Sequence, residues 1–144
     1  MMKPILGPRI FYREGYKYQL AEAYSIMTDI VPLNGQPIQT EYLTLSERGN
    51  LTIDAGYAWD GPSGPTYDSA NSLRASLVHD AFYQLMRLEL IGQAWRGTAD
   101  RLLDEILEED GMWKARRWYW LRGVQWFAAD AANPDSKKPI LEAP

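Results

Sequence analysis

"SLRASLVHDAFYQLMR", residues 72–87, is the stretch on which the fold turns, and it holds the single histidine of the chain. An α-helix advances about 100° per residue, so the spacing here can be read as directions. Ala75, Phe82, Tyr83 and Met86 all fall within about 60° of His79 on the wheel, and Val78 and Leu85 widen that face. Asp80, Gln84 and Arg87 lie to the other side. The pattern predicts a helix from Ser69 to Leu90 with one side against a core.

What precedes this helix reads differently. "DGPSGPTYDSANS" (60–72) is a turn-rich loop with two glycines and two prolines, a common place for function. Upstream, "YKYQLAEAYSI" (16–26) and "IQTEYLTL" (38–45) partly alternate, and "LNGQP" between them carries the Asn34-Gly35 turn signal. "SERGN" then turns into "LTIDAGYAW", where Leu51 and Ile53 alternate with Thr52 and Asp54. Together these predict a small antiparallel sheet of roughly three to five strands.

Downstream the period stays helical. A second helix is expected from Thr98, as its cap, to Asp110, with Gly111 as the stop. A third runs from Met112 or Trp113 to Ala132, ahead of Asn133-Pro134. Strands first and helices after define an α+β class. Residues 1–132 read as one such domain, and residues 133–144 as an extended tail.

Composition narrows the function. With 144 residues, 46% hydrophobic and 24% charged, the chain can bury a core without staples. A net charge of −4 argues against a basic nucleic-acid binder, and no double-stranded partner is expected. There is no cysteine, which excludes disulfides and thiolate metal sites. One histidine suits zinc poorly, and the remaining carboxylates suit calcium or magnesium. No run has the length of a signal peptide or of a transmembrane segment, so the inside of a cell, or a particle assembled there, is the expected location.

A buried imidazole must place both ring nitrogens. Tyr83 stands one turn from His79. Asp100 lies beside the apolar face Ala99, Leu103, Ile106 and Leu107 of the second helix, and antiparallel packing of the two helices would bring it to the ring. Such a contact fixes the tautomer and stabilises an imidazolium, as a general base requires. The same contact also serves a core histidine that is merely satisfied. The residues leave both readings open.

The order of three segments, "GYAWDGPSGP", "RASLVHDAFY" and "TADRLLDEIL", resembles a small phage and prophage family of unknown function. Its members carry a D-G-x-S-x-x-P-like segment, an H-D-x-x-Y helix and a following A-D helix. The match covers Gly56 to Asp110, with a weaker echo in the third helix. The same order is similar to the core of prokaryotic-type phospholipase A2. That resemblance implies a calcium-assisted ester hydrolase acting on a lipid or other ester substrate. It implies Asp60, the carbonyl of Gly61 and Asp80 as calcium ligands, His79 as the base that activates water, and Asp100, with Tyr83, as its support. The chain departs from the secreted enzymes in lacking their cysteines. The competing reading is a non-enzymatic virion or assembly protein, in which His79, Asp80, Tyr83 and Asp100 form a structural polar network.

Three other features bear on function. Ser63 could complete a Ser–His–Asp set, but it lies in no nucleophile-elbow pattern, and serine in a Gly/Pro turn is usually structural. The acids of "RLLDEILEED" (101–110) read as a solvated face opposite an apolar stripe. "WKARRWYWLRGVQWF" (113–127) combines four basic residues with six aromatics and no acid, which leaves the rest of the chain at −8 against a total of −4. Trp113, Trp120, Val124 and Phe127 share a helical face suited to core packing, whereas Trp118 points elsewhere. The exposed part could meet anionic lipid, single-stranded nucleic acid or, as the favoured partner, a neighbouring phage protein.

Overall fold

A computed structural model describes residues 12–14, 18–59 and 72–128, with side chains over 18–59 and 72–122. The strands are β1 (Tyr12–Glu14), β2 (Tyr18–Leu20), β3 (Tyr24–Met27), β4 (Ile38–Gln39), β5 (Leu43–Leu45), β6 (Asn50–Ile53) and β7 (Ala58–Trp59). Three helices follow: α1 (Leu73–Arg87), α2 (Arg96–Glu109) and α3 (Lys114–Ala128), with a short 3-10 turn at Gln93–Trp95 leading into α2. The chain is α+β, with antiparallel strands in the first half and helices in the second.

The strands form two small sheets where one was expected, ordered β1-β2-β7 and β3-β6-β5-β4. One register nevertheless runs through both. Tyr18 faces Trp59 and Tyr24 faces Ile53, so the step along one strand equals the step along the other. The ladder opens between them, at residues 21–23 and 54–56, where the chain bends. Leu20 holds the seam from both sides: its N–H donates to the carbonyl of Tyr57 at 2.8 Å, and its carbonyl accepts from Gly56 N–H at 2.7 Å. The bend lets both sheets contribute to one core, through Leu20, Tyr24, Leu43, Leu45, Leu51, Ile53 and Trp59.

The turns bear out part of the sequence pattern. β5 and β6 form the hairpin expected at "SERGN", closed by Ser46 Oγ, which accepts from the N–H of Asn50 at 2.9 Å. Gly49 in this turn has φ +97, and a Cβ there would collide with the carbonyl oxygen of Thr28, so no other residue fits. Asn34-Gly35 does turn the chain, with Asn34 Oδ1 accepting from Gln36 N–H at 3.2 Å. It does not make a hairpin, because β3 and β4 lie at opposite edges of their sheet.

α1 buries every residue except Asp80, Gln84 and Arg87. α2 is a surface helix that buries Ala99, Asp100, Leu103, Ile106 and Leu107, the predicted stripe. The two pack directly, and α2 in turn packs on α3, whose Trp120 is wholly buried. Thr98 is not the cap of α2. The helix already starts at Arg96, continuing the 3-10 turn, and Thr98 Oγ1 instead accepts from Arg101 at 3.2 Å.

Both of the first two helices end in the same way. After α2, Gly111 at φ +89 donates to the carbonyl of Glu108 and Met112 to that of Leu107. After α1, Glu89 donates to Met86 and Leu90 to Leu85 in the same pattern. Glu89, though, holds this left-handed position at φ +58 with a side chain, alone among the described non-glycine residues. Glu89→Gly is expected to stabilise the protein by about 0.5–1 kcal/mol, read as a higher urea midpoint with an unchanged slope. A lower midpoint would mean that the Glu89 side chain holds a contact worth more than this strain.

Candidate functional site

The sheet and α2 approach α1 from different sides, and each meets polar side chains of that helix. From the sheet side, Trp59 Nε1 donates to Ser76 Oγ at 3.0 Å, and the Ser76 hydroxyl donates in turn to the Leu73 carbonyl at 2.9 Å. Tyr57 donates to Gln84 Oε1 at 3.0 Å. These bonds fix the rotation of α1 about its axis. His79 and Tyr83, one turn apart, are thereby turned toward α2.

Asp100, in the first turns of α2, receives them. His79 Nε2 lies 2.8 Å from Asp100 Oδ1, and the Tyr83 hydroxyl donates to the same oxygen at 2.7 Å. The imidazole and phenol rings stack with centroids 4.1 Å apart and planes 30° from parallel. All three residues are buried, with His79 at 5% exposure and Asp100 at 6%. Tyr83 thus supports the histidine through the shared carboxylate and ring contact, and makes no hydrogen bond to it. Antiparallel packing of the first two helices was expected to bring Asp100 to the His79 ring, and α1 and α2, packed on one another, hold the two in contact.

The geometry assigns the protons. A carboxylate accepts, so Nε2 carries hydrogen, and in the neutral ring Nδ1 keeps its lone pair. Nδ1 lies 4.0 Å from Asp80 Oδ1, too far for a direct hydrogen bond and a separation that one water can bridge. Asp80 is partly exposed. Burial opposes charge on His79, but the Asp100 hydrogen bond, helped by Asp80, outweighs it and raises the ring's pKa above its usual value. Tyr83 is pushed up by burial and then by Asp100, so it remains a donor.

The other calcium ligands expected, Asp60 and the Gly61 carbonyl, lie outside the described residues, as do Ser63 and Tyr67. Among the described residues no three histidine, aspartate or glutamate side chains cluster as metal ligands. Of the three expected ligands Asp80 alone lies among the described residues, and a calcium ion, which takes about 6–8 oxygens, would need the loop to complete its shell.

A second network was not anticipated. Arg74, one turn and a half before His79, is 5% exposed. It forks onto Asp110 at 2.9 and 3.1 Å, reaches Glu109 at 2.8 Å and donates to the Tyr24 hydroxyl at 2.8 Å. Burial opposes its charge, and the bonds to Asp110 and Glu109 more than restore it. The acidic stretch of α2 is therefore not only a solvated face. Asp110 closes on Arg74, and Asp104 and Glu108 hold Arg117 of α3 at 3.2 and 3.5 Å. An arginine among apolar neighbours in "SLRASLV" was the available signal, but its partners lie more than thirty residues away. A hollow of about 260 Å³ opens beside Arg74 between β3 and α2, lined in part by Ile26, Met27, Leu102 and Ile106.

Comparison of the chain with protein-family models, with curated proteins and with solved structures finds no match.

Two outcomes follow from the dyad. Asp100→Ala leaves a buried imidazole and phenol without their acceptor and is expected to cost about 3–5 kcal/mol; a loss under 1 kcal/mol in urea titration would mean that water replaces the carboxylate. A histidine whose pKa rises on folding adds stability that is complete below the unfolded value of about 6.5 and is lost as pH climbs through the folded value. The stability gap between wild type and His79→Gln, measured with chelator present, is therefore expected to narrow from mildly acid to alkaline pH. A gap that widens over that range contradicts the assigned pair.

Proposed function

We propose that His79 and Asp100 act as the general-base dyad of a calcium-assisted ester hydrolase similar to phospholipase A2, in a protein of phage or prophage origin. One observation carries this reading. Asp100 occupies Nε2, so Nδ1 is the nitrogen left to act as base, and it lies 4.0 Å from Asp80 Oδ1, a separation that a bridging water would span.

In this reading Nδ1 takes a proton from that water as its oxygen attacks the ester carbonyl carbon. Asp100 stabilises the imidazolium that forms, and Tyr83 holds Asp100 in place. When the tetrahedral species collapses, the acyl carbon–oxygen bond breaks and His79 returns the proton to the departing alkoxide. Calcium, held by Asp80 together with Asp60 and the Gly61 carbonyl, would supply electrostatic stabilisation for the negative oxygen. No enzyme nucleophile is needed, and Ser63 has no part in it.

The burial of the ring favours a second reading. At 5% exposure, His79 is as enclosed as a core residue, and the hollow beside Arg74 is lined by neither His79 nor Asp100. The same four residues would then form the structural network of a virion or assembly protein, with the α3 region, Trp113 to Phe127, turned to a neighbouring phage protein. Both readings place the molecule in the host cytoplasm or in the particle. No helix among the described residues is long and apolar enough to cross a membrane.

The readings part in one assay. Purified protein is incubated with phospholipid and with a simple ester, in calcium and then in chelator, beside His79→Gln and Asp80→Asn. The hydrolase reading expects calcium-dependent turnover that falls at least about a hundredfold in either variant. Asp80→Asn keeps the shape of the side chain, and its melting temperature, measured beside the assay, separates lost chemistry from lost folding. Absence of turnover in wild type under every condition, with His79→Gln strongly destabilised, would leave the structural network standing instead.

A further inference from the structure

We propose that the outer face of α3, formed by Lys114, Trp118, Tyr119 and Arg122 with Trp113 just ahead of the helix, docks on an anionic lipid surface. Trp113 was expected to share the buried side of this helix with Trp120. It stands one residue before the helix begins and is 83% exposed, whereas Trp120 is 1% exposed. Trp118 at 62% and Tyr119 at 48% follow on the outer side. Lys114, Trp118 and Arg122 succeed one another at intervals of one turn, so they form a single row.

The helix is held from its other side. Trp120 enters the core, and Arg117 is tied to Asp104 and Glu108 of α2 and to the Met112 carbonyl. The outer aromatics are thus presented by an anchored element. Arg122 lies over the Trp118 ring, 5.1 Å from its centroid, which fixes a cation beside the indole. Residues 113–127 contain no acid, so nothing in the segment itself neutralises the row.

The chemistry of this face matches a membrane interface. Indole and phenol pair an apolar body with a polar tip and settle at headgroup depth. Lysine and arginine extend apolar stems and deliver charge to anionic headgroups. The rest of the chain carries a net −8, so the basic row on α3 is the part of the molecule that an anionic surface attracts. Single-stranded nucleic acid fits less well. Stacking needs open ring faces, and Arg122 already covers one face of Trp118. A net charge of −4 also opposes a polyanion that surrounds the protein.

The docking surface does not depend on hydrolysis, and its test is kept separate. The full chain is sedimented with vesicles of phosphatidylcholine alone, or of equal parts phosphatidylcholine and phosphatidylserine, with chelator present. The expected result is retention on the anionic vesicles, weak retention on the neutral ones, and release as salt rises. Trp118→Ala, and Lys114→Glu combined with Arg122→Glu, should each weaken binding at least about tenfold. Their melting temperatures should stay at the wild-type value, because these side chains are exposed. His79→Gln should bind vesicles as wild type does, whatever its activity. No retention on anionic vesicles at low salt would overturn the proposal, as would variants that bind like wild type. Binding to a single-stranded oligonucleotide without vesicle binding would overturn it in favour of base stacking.

Discussion

Burying α1 on almost every side is the constraint to which the rest of the structure answers. The helix carries the buried Arg74, Ser76 and His79 and the half-buried Gln84, and a polar group withdrawn from water without a partner costs far more than an ordinary hydrogen bond returns. Each of the four is met by a different element: Arg74 by β3 and the end of α2, Ser76 by β7, Gln84 by the turn before β7, and His79 by the start of α2. The apolar side chains supply the bulk of the attraction between these elements. The polar ones decide their relative rotation, since a helix turned by one position would leave several of them unpaired.

The candidate site is a by-product of that arrangement as much as its purpose. Arg74 and His79 both reach α2, one near its C-terminus and one near its N-terminus, so the two helices are pinned at both ends. This fixes the His79 ring to within the tolerance of a hydrogen bond, which is also what general-base chemistry requires. The same rigidity accounts for both readings of the dyad. A catalytic base and a structural histidine need the same support at Nε2, and they differ in what reaches Nδ1.

The third helix follows a different logic. Its inner side repeats the core-plus-ion-pair scheme, with Trp120 buried and Arg117 bound to α2. Its outer side has no partner of comparable kind among the described residues. Aromatic rings that would each bury a large area in a core are instead displayed, and Arg122 shields only part of one. Such a surface, on a helix otherwise well anchored, is costly to leave in water and is best explained by contact with something else.

Much of this was legible in the chain itself. Period-two alternation in "LTIDAGYAW" and the stop at Gly111 located a strand and a helix end, because these depend on residues a few positions apart. The wheel around His79 picked out Asp80, Gln84 and Arg87 as the side of α1 away from the core, and the apolar stripe of the second helix pointed to Asp100 as a partner within reach. What the sequence by itself could not determine were quantities set between distant segments. The division of one register into two sheets, the starting point of α2 ahead of Thr98, and the pairing of Arg74 with Asp110 and Tyr24 are of this kind. Local propensity ranks what a residue can do, but which acid meets a buried arginine is decided by how whole elements pack. Trp113 makes the same point at a single position: its spacing suited the core, and only the place where the helix begins put it in water.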